Sequence, residues 1–329
     1  MAIIELNNLV KKFNGFTAVD GVTLSIEEGE IFGLLGPNGA GKTTTISMLC
    51  TILKPTSGTA SLCGHDIVSE KDAVRKCIGV VFQDQSLDDE LTGRENLDLH
   101  GRLYGMGSTR TERAEEVLKL VELVEFADKP IKTYSGGMKR RLEIARGLMH
   151  YPKILFLDEP TIGLDPQTRR RLWDYIRDFN KTHGVTIILT THYMDEADFL
   201  CNRIAIMDKG KIIAQGTSEQ LKEVLQGDVI TIESEKAEEL SKLLSKEKYL
   251  KAAKMVGKDL VITAKNGSEA VPKIVHLAGK KGIEIKSVSL KRPSLEDVFI
   301  HYTGRAIREE AGTGVGMMAM MHGHGGGRR

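Results

Sequence analysis

The sequence predicts an α/β chain in which a parallel-sheet core with a phosphate cradle is interrupted by a helical subdomain and followed by a small α+β domain. Three observations predict it. First, "GPNGAGKTT", Gly36 to Thr44, stands between the strand-like "EIFGLL" and the helical pattern "KTTTISMLCTIL", and strand, loop and helix in that order are what make a Gly-rich run a phosphate cradle. Second, from Lys153 to Ile206 strand and helix patterns alternate as "ILFLDEP", "PQTRRRLWDYIRDFNK", "VTIILTTH", "MDEADFLC" and "RIAIMD", which implies a parallel sheet covered by helices. Third, between about residues 84 and 149 the pattern turns helical and charged, with "RENLDLHGRLYG" and "RTERAEEVLKLVELVEF" at helical spacing.

The first element is a short alternating strand in "MAIIELNNLVKKF", and residues up to about 83 continue as β-rich runs parted by Gly-rich turns. This is a P-loop NTPase sheet core with an inserted helical subdomain. "MDKGKIIAQGT" is expected to be a hairpin and "SEQLKEVL" a closing helix, so the nucleotide-binding domain is placed at 1–226. Strand-like "VITIES", helix-like "AEELSKLLS", strand-like "LVITA", helix-like "AVPKIVHLAGKKG" and strand-like "IEIKSVSL" then give an α+β C-terminal domain at 227–305. The Gly/Met/His tail at 306–329 has no core-forming pattern and is expected to be disordered.

Composition narrows the function classes. At 329 residues the chain can bury a sizeable core, and a formal charge of +1 gives no electrostatic reason to expect nucleic acid as a partner. Cys50, Cys63, Cys77 and Cys201 show no CxxC pairing and no His at ligand spacing, which predicts reduced, mostly buried thiols and no zinc site. Apolar runs such as "ILFL" and "VTIIL" fall far short of the roughly 20 residues of a membrane-spanning helix. Without a secretory signal pattern at the N-terminus, the expectation is a cytoplasmic protein whose membrane role comes through a partner.

The cradle assigns chemistry residue by residue. Gly36, Pro37, Asn38, Gly39, Ala40 and Gly41 form a loop whose backbone N–H groups close around phosphate oxygens. Lys42 supplies a point charge to the outer phosphates, the Thr43 hydroxyl is placed to ligate Mg2+, and Thr44 completes the motif. Asp158, where "ILFLDE" runs out, suits the carboxylate that holds Mg2+ in P-loop nucleotidases. Glu159, one residue on, is positioned to orient or deprotonate the water that attacks the terminal phosphate, although a cap before Pro160 is its plainer role. "YSGGM", with Ser135, Gly136 and Gly137 at a helix start, offers a second anion site through free N–H groups and the helix dipole.

In this order the motifs resemble the ATPase subunits of ATP-binding cassette (ABC) transporters, over roughly Met1 to Leu225. The resemblance implies that Phe13 in "KKFNG" stacks on the adenine of ATP. It implies that Gln83 in "VVFQD" links the Mg2+ site to the helical subdomain, that Asp165 in "GLDP" lies in the loop after the second carboxylate, and that His192 in "TTH" is the switch histidine on the γ-phosphate. Each also has a plainer reading: core packing for Phe13, a strand-edge cap for Gln83, a helix N-cap for Asp165 and a structural imidazole for His192. The resemblance further implies a head-to-tail homodimer in which Ser135 and the following N–H groups bind the ATP held by the partner's P-loop. Tyr134 and Met138 replace the usual outer Leu and Gln of the signature.

"YSGGM" followed by "RRLEIARGL" resembles the subgroup that drives export-type permeases of drugs, lipids or polysaccharides, and "RPSLEDVFIHYTGR" resembles the ending of its subunits. The expected function is ATP hydrolysis that powers a separate multispanning permease from the cytoplasmic face of the cell membrane, the helical subdomain meeting the permease. The rival is a non-transport ABC ATPase acting on ribosomes or DNA; this chain has one cassette and no long coiled-coil or zinc insertion. Leu295, Val298, Phe299 and Tyr302 form one apolar helix face in the last motif, expected to be a docking face. The C-terminal domain is expected to carry no chemistry.

Overall fold

Strand pairing begins at the first described residue. The computed structural model describes residues 2–84, 86–225, 227–245, 247 and 250–304; the Gly/Met/His tail lies outside them. β1 (Ala2–Phe13) and β2 (Phe16–Glu27) form a long hairpin in which Phe13 pairs with Phe16 beside the turn. After β3 (Ile31–Leu35) and α1 (Lys42–Leu49), β4 (Ser57–Leu62) and β5 (His65–Asp66) complete an antiparallel sheet in the order β2-β1-β4-β5. The segment "CTIL" is a turn rather than the end of α1, since Cys50 caps the helix and Thr51 takes a positive φ of 62°.

α2 (Lys71–Cys77) and β6 (Ile78–Val81) lead into the helical subdomain of α3 (Gly93–Leu103), α4 (Thr109–Leu120) and α5 (Gly136–Gly147). A capping box between Thr92 and Glu95 starts α3. α4 stops six residues earlier than the pattern through Phe126 implied; Val121 is its C-cap and Glu122 takes a φ of 56°. β7 (Ile154–Asp158), α6 (Pro166–His183), β8 (Thr186–Thr191), α7 (Met194–Leu200), β9 (Arg203–Asp208) and β10 (Lys211–Gly216) follow. α6 is bounded by chemistry legible in the sequence: Asp165 at the N-cap, Pro166 in the first turn and Gly184 in the left-handed region at the end.

The second sheet has the order β10-β9-β3-β8-β7-β6, and the pairs β9/β3, β3/β8, β8/β7 and β7/β6 are parallel. β3, β7 and β8 are buried along their whole length, as strands covered on both faces must be. Alternate residues serve two cores. Phe32, Leu34, Phe156 and Ile188 pack with the antiparallel sheet and α1, whereas Ile31, Leu155, Leu157, Ile187 and Leu189 pack with the helical subdomain and α6. Register then sets the site, because Asp158 pairs with Thr190 and Leu35 with Thr191. Glu159, His192 and the loop after β3 therefore leave the sheet at one level, at the carboxyl ends of its strands, where parallel sheets hold ligands.

By contacts the chain divides at 212/213, with 36–38 grouped with the second unit. The boundary falls inside β10, and α8 (Ser218–Glu223) packs with α11 (Leu295–Thr303) of the C-terminal unit. That unit also contains β11 (Asp228–Glu233), α9 (Ala237–Leu244), β12 (Leu250–Val256), β13 (Asp259–Ala264), α10 (Gly267–Lys280) and β14 (Ser287–Lys291), in an antiparallel sheet of order β12-β13-β11-β14.

The docking face expected around Phe299 is corrected here. Phe299 is 1% exposed and Leu295 and Val298 are buried as well, so that stripe packs inside its own unit and only Tyr302 remains exposed. Cys50 is buried, but Cys63, Cys77 and Cys201 are only partly so, and all four are free.

Candidate functional site

The loop before α1 is built on glycine geometry. Gly41, the N-cap of α1, has a φ of 106°, and a Cβ there would lie 2.4 Å from the Ala18 carbonyl oxygen of β2, so both backbone conformation and space call for glycine. Gly210 N–H donates to Ala40 O and Asp20 N–H donates to Gly210 O, each at 2.9 Å, which ties the loop to the turn after β9 and to β2. Gly39 is exposed and also in the left-handed region, at φ 80°. Gly36 and Pro37 are buried directly after β3, and Asn38 is exposed.

Lys42 and Thr43 open α1, whose first-turn N–H groups and dipole favour an anion. Lys42 is 4% exposed, and its Nζ lies 3.6 Å from Glu159 Oε1. Burial pulls the Lys42 pKa down, against the opposing pull of Glu159 and Asp158. Thr43 Oγ donates to Asp158 Oδ1 at 3.3 Å, and Thr190 Oγ donates to the same oxygen. Burial pushes the Asp158 carboxyl up, partly offset by those two hydroxyls. A hydroxyl and a carboxylate converging on one point are hard oxygen donors of the kind Mg2+ takes, so the residues present fit the ion.

Glu159 is 7% exposed and stands in the left-handed region at φ 47°. Its N–H donates to both the carbonyl oxygen and Oγ of Thr190, at 3.1 Å each. Its second carboxylate oxygen lies 3.2 Å from His192 Nδ1. This is a close contact and not an aligned hydrogen bond, since that ring nitrogen has no partner of proper geometry. Burial acts to raise the Glu159 pKa, but the His192 imidazole and the Lys42 ammonium outweigh it and the net shift is downward. A carboxylate held ionised beside a cation and an imidazole is equipped to accept a proton.

Lys42, Thr43, Asp158, Glu159 and His192 are thus gathered in one place. The other expected residues are placed differently. Ser135 caps α5, its Oγ accepting from Met138 N–H at 3.3 Å; Ser135 and Gly136 are exposed and Gly137 is partly so. Asp165 caps α6 through Oδ1, which accepts from Gln167 N–H and Thr168 N–H at 3.1 and 3.0 Å. Gln83 is exposed two residues after β6. Phe13 is half-buried beside the β1/β2 turn, with Lys11 Nζ 4.9 Å from its ring centre. Thr44 is partly buried in the first turn of α1. The two departures from the usual signature are accounted for by packing: Tyr134 is buried and donates its hydroxyl to Phe126 O at 2.6 Å, and Met138 packs against the core of the helical subdomain.

Sequence reasoning missed Thr190. A threonine near the end of a wholly buried strand was the available signal, since a hydroxyl there must find a partner. It also missed Arg140, whose guanidinium is buried beneath Asp158 and Pro160; in a helix rich in basic residues nothing marks the one that turns inward.

Comparison with known proteins shows the family of the chain. Residues 19–162 match the ABC transporter family model, and residues 216–303 match the C-terminal domain of DrrA1-3-like ATP-binding proteins. The chain is 44% identical over 313 residues to the daunorubicin/doxorubicin resistance ATP-binding protein DrrA of Streptomyces peucetius, covering 92% of each chain. It is 39% identical to the Nod factor export ATP-binding protein I of Cupriavidus metallidurans, over 94% of this chain and 99% of that one. Among solved structures it resembles cbiO1 of Clostridium perfringens, part of an ABC transporter complex, with a TM-score of 0.63, 32% identity and coverage of 68% of this chain and 93% of that one. A dimeric ATP-binding cassette in a post-hydrolysis state bound to ADP and Pi is similar at a TM-score of 0.58 and 31% identity, covering 65% and 98%. The chain belongs to the ABC transporter family, as an ATP-binding, ATP-hydrolysing subunit of the export-type branch that carries a DrrA-like C-terminal domain.

Proposed function

We propose that two copies of this chain close head to tail on two molecules of ATP, hydrolyse them with Mg2+, and so power export through a separate multispanning permease at the cytoplasmic face of the cell membrane. The observation that carries this reading is the unequal completeness of the two anion sites. Lys42, Thr43, Asp158, Glu159 and His192 converge, whereas the Ser135 helix start is exposed. A second chain presenting its Ser135, Gly136 and Gly137 would complete the phosphate site.

In the closed dimer Lys42 and the loop N–H groups of residues 36 and 38–41 bind the β- and γ-phosphates. Thr43 and Asp158, with Gln83, would hold Mg2+, which when bound would neutralise phosphate charge. Glu159 accepts the proton of the attacking water, and His192 steadies the γ-phosphate. Asp165 and Phe13 are assigned to the dimer-facing loop and the adenine. Hydrolysis removes the phosphate that bridges the halves, so the dimer opens.

The helical subdomain is assigned to the permease. Supporting this are exposed Leu99, Leu103 and Tyr104 on and just after α3, Leu103 at 76% exposure, and a neighbouring cleft of about 380 Å³ lined by Ile52, Phe82, His100, Arg146 and His150. Among the described residues no helix is long and apolar enough to cross a membrane. The test is affinity purification of the tagged chain from solubilised membranes. A multispanning protein should accompany the wild-type chain and be lost with Leu103→Glu, whose ATPase activity is retained; recovery of ribosomes or DNA instead would overturn the transport reading.

A further inference from the structure

α5 carries a run of basic residues, and Arg140 is the one that turns away from solvent, at 6% exposure. A buried guanidinium is tolerated only when its donors are satisfied, and here the partners are specific. Nε donates to Pro160 O at 2.8 Å and Nη2 to Asp158 O at 3.0 Å. Nη1 donates to Phe82 O at 2.6 Å and pairs with Glu143 Oε2 at 3.0 Å, while Glu143 Oε1 accepts from Ser86 N–H.

The first two carbonyls flank Glu159. That residue is held at φ 47°, a conformation unfavourable for a side chain with a Cβ unless its surroundings impose it. The backbone is fixed from two sides, through the Glu159 N–H by Thr190 and through the carbonyls before and after it by Arg140. In this conformation the carboxylate lies between Lys42 and His192. Relaxation to an ordinary φ would re-aim it.

We propose that Arg140 is a positioning residue for hydrolysis: its planar fork grips the carbonyls on either side of Glu159 and thereby aims the Glu159 carboxylate at the attacking water. The proposal rests on the reading of Glu159 as the proton acceptor. The guanidinium bonds to the carbonyls of Phe82, Asp158 and Pro160 and to Glu143, so its action on the reaction runs through Glu159. A lysine at 140 would keep the charge beside Glu143 but offers no planar fork to span two carbonyls.

The test measures kcat and KM for ATP in Arg140→Lys, and in the charge-neutral double variant Arg140→Gln/Glu143→Ala should the first fail to fold, each made in the wild-type and in the Glu159→Gln background. Misaiming a catalytic group by about 1 Å costs up to about a hundredfold in rate. The expected result is a kcat loss of about tenfold to a hundredfold with KM for ATP within about twofold of wild type. In the Glu159→Gln background the same substitution should change residual turnover by less than about twofold, because a group that acts only through Glu159 has nothing left to act on. Equal losses in both backgrounds, a loss confined to KM, or full kcat in Arg140→Lys would overturn the role of Arg140 while leaving Glu159 in place. Near-wild-type turnover by Glu159→Gln would overturn the proton-acceptor reading and this proposal with it.

Discussion

The hydroxyl of Thr43 donates to Oδ1 of Asp158 at 3.3 Å, across 115 positions of sequence. One group opens α1 and the other ends β7, two strands away from β3, so only the parallel sheet brings them together. Because β8 lies between β3 and β7 and pairs in register with both, the two oxygens meet without any loop having to fold over.

Thr43→Val tests that relationship. Valine keeps the shape and removes the oxygen, so the Mg2+ concentration for half-maximal ATP hydrolysis should rise by roughly tenfold or more, as for other losses at a metal's ligand shell. Binding of ATP without metal, followed by calorimetry in EDTA, should change little, since Lys42 and the loop amides remain. An unaltered Mg2+ requirement would remove Thr43 from the metal site.

Glu159→Gln should bind ATP with near-normal affinity, lose about 10²–10⁴-fold in turnover, and accumulate as an ATP-bound dimer on a sizing column. The amide is isosteric and keeps the backbone contacts with Thr190, so loss of rate without loss of binding isolates the proton transfer. His192→Ala should lower kcat more than it raises KM. Normal turnover in that variant would return the imidazole to a structural role.

How much of this site was legible in the sequence depends on locality. Gly36 to Thr44 and Asp158 with Glu159 are contiguous motifs next to strands, so their chemistry and the strands that carry them could be read together. The partner of Asp158 on β8, Thr190, is a pairing across the sheet, and register of that kind is written only in the fold. The left-handed backbone of Glu159 was also hidden, because it is imposed by Thr190 and Arg140 from elsewhere in the chain. In the C-terminal unit, β12 was missed because an edge strand buries little: "LKAAKMV" has no fully buried position. The face with Phe299 was found by its period, but a helical period says only that a face is covered, not by what.

The cleft beside α3 gives a pH signature. Burial, followed by the charges of Arg146 and His150, lowers the His100 pKa to about 4. The ordinary value of about 6.5 applies to the unfolded chain, so between those values the unfolded state binds a proton that the folded state refuses. Stability carried by neutral His100 is therefore complete above pH 6.5 and is lost as pH falls towards 4, by at most a few kcal/mol. Urea unfolding of wild type and His100→Gln from pH 7 to 4 should show a shallower fall for the variant. Parallel curves would mean that His100 titrates normally in the fold.

The proposed sharing of the ATP site between two copies can be tested by counting composite sites. In the proposed dimer Lys42→Ala would remove the charge on the outer phosphates in one chain, while Ser135→Arg would block the exposed helix start offered to the partner. Each homodimer then has two defective sites. In a mixed dimer, the chain with Lys42→Ala keeps an intact Ser135, and the chain with Ser135→Arg keeps an intact Lys42; the two defects fall together in one site and the other is whole. Equal mixing forms mixed dimers in about half of the pairs, and one sound site in each sets a ceiling of about a quarter of wild-type activity, lower where both sites must fire together. Activity should therefore rise above that of either variant alone and peak near a one-to-one ratio. A flat response across all ratios, with both variants still binding nucleotide or dimerising as their intact halves require, would mean that each chain builds its ATP site alone.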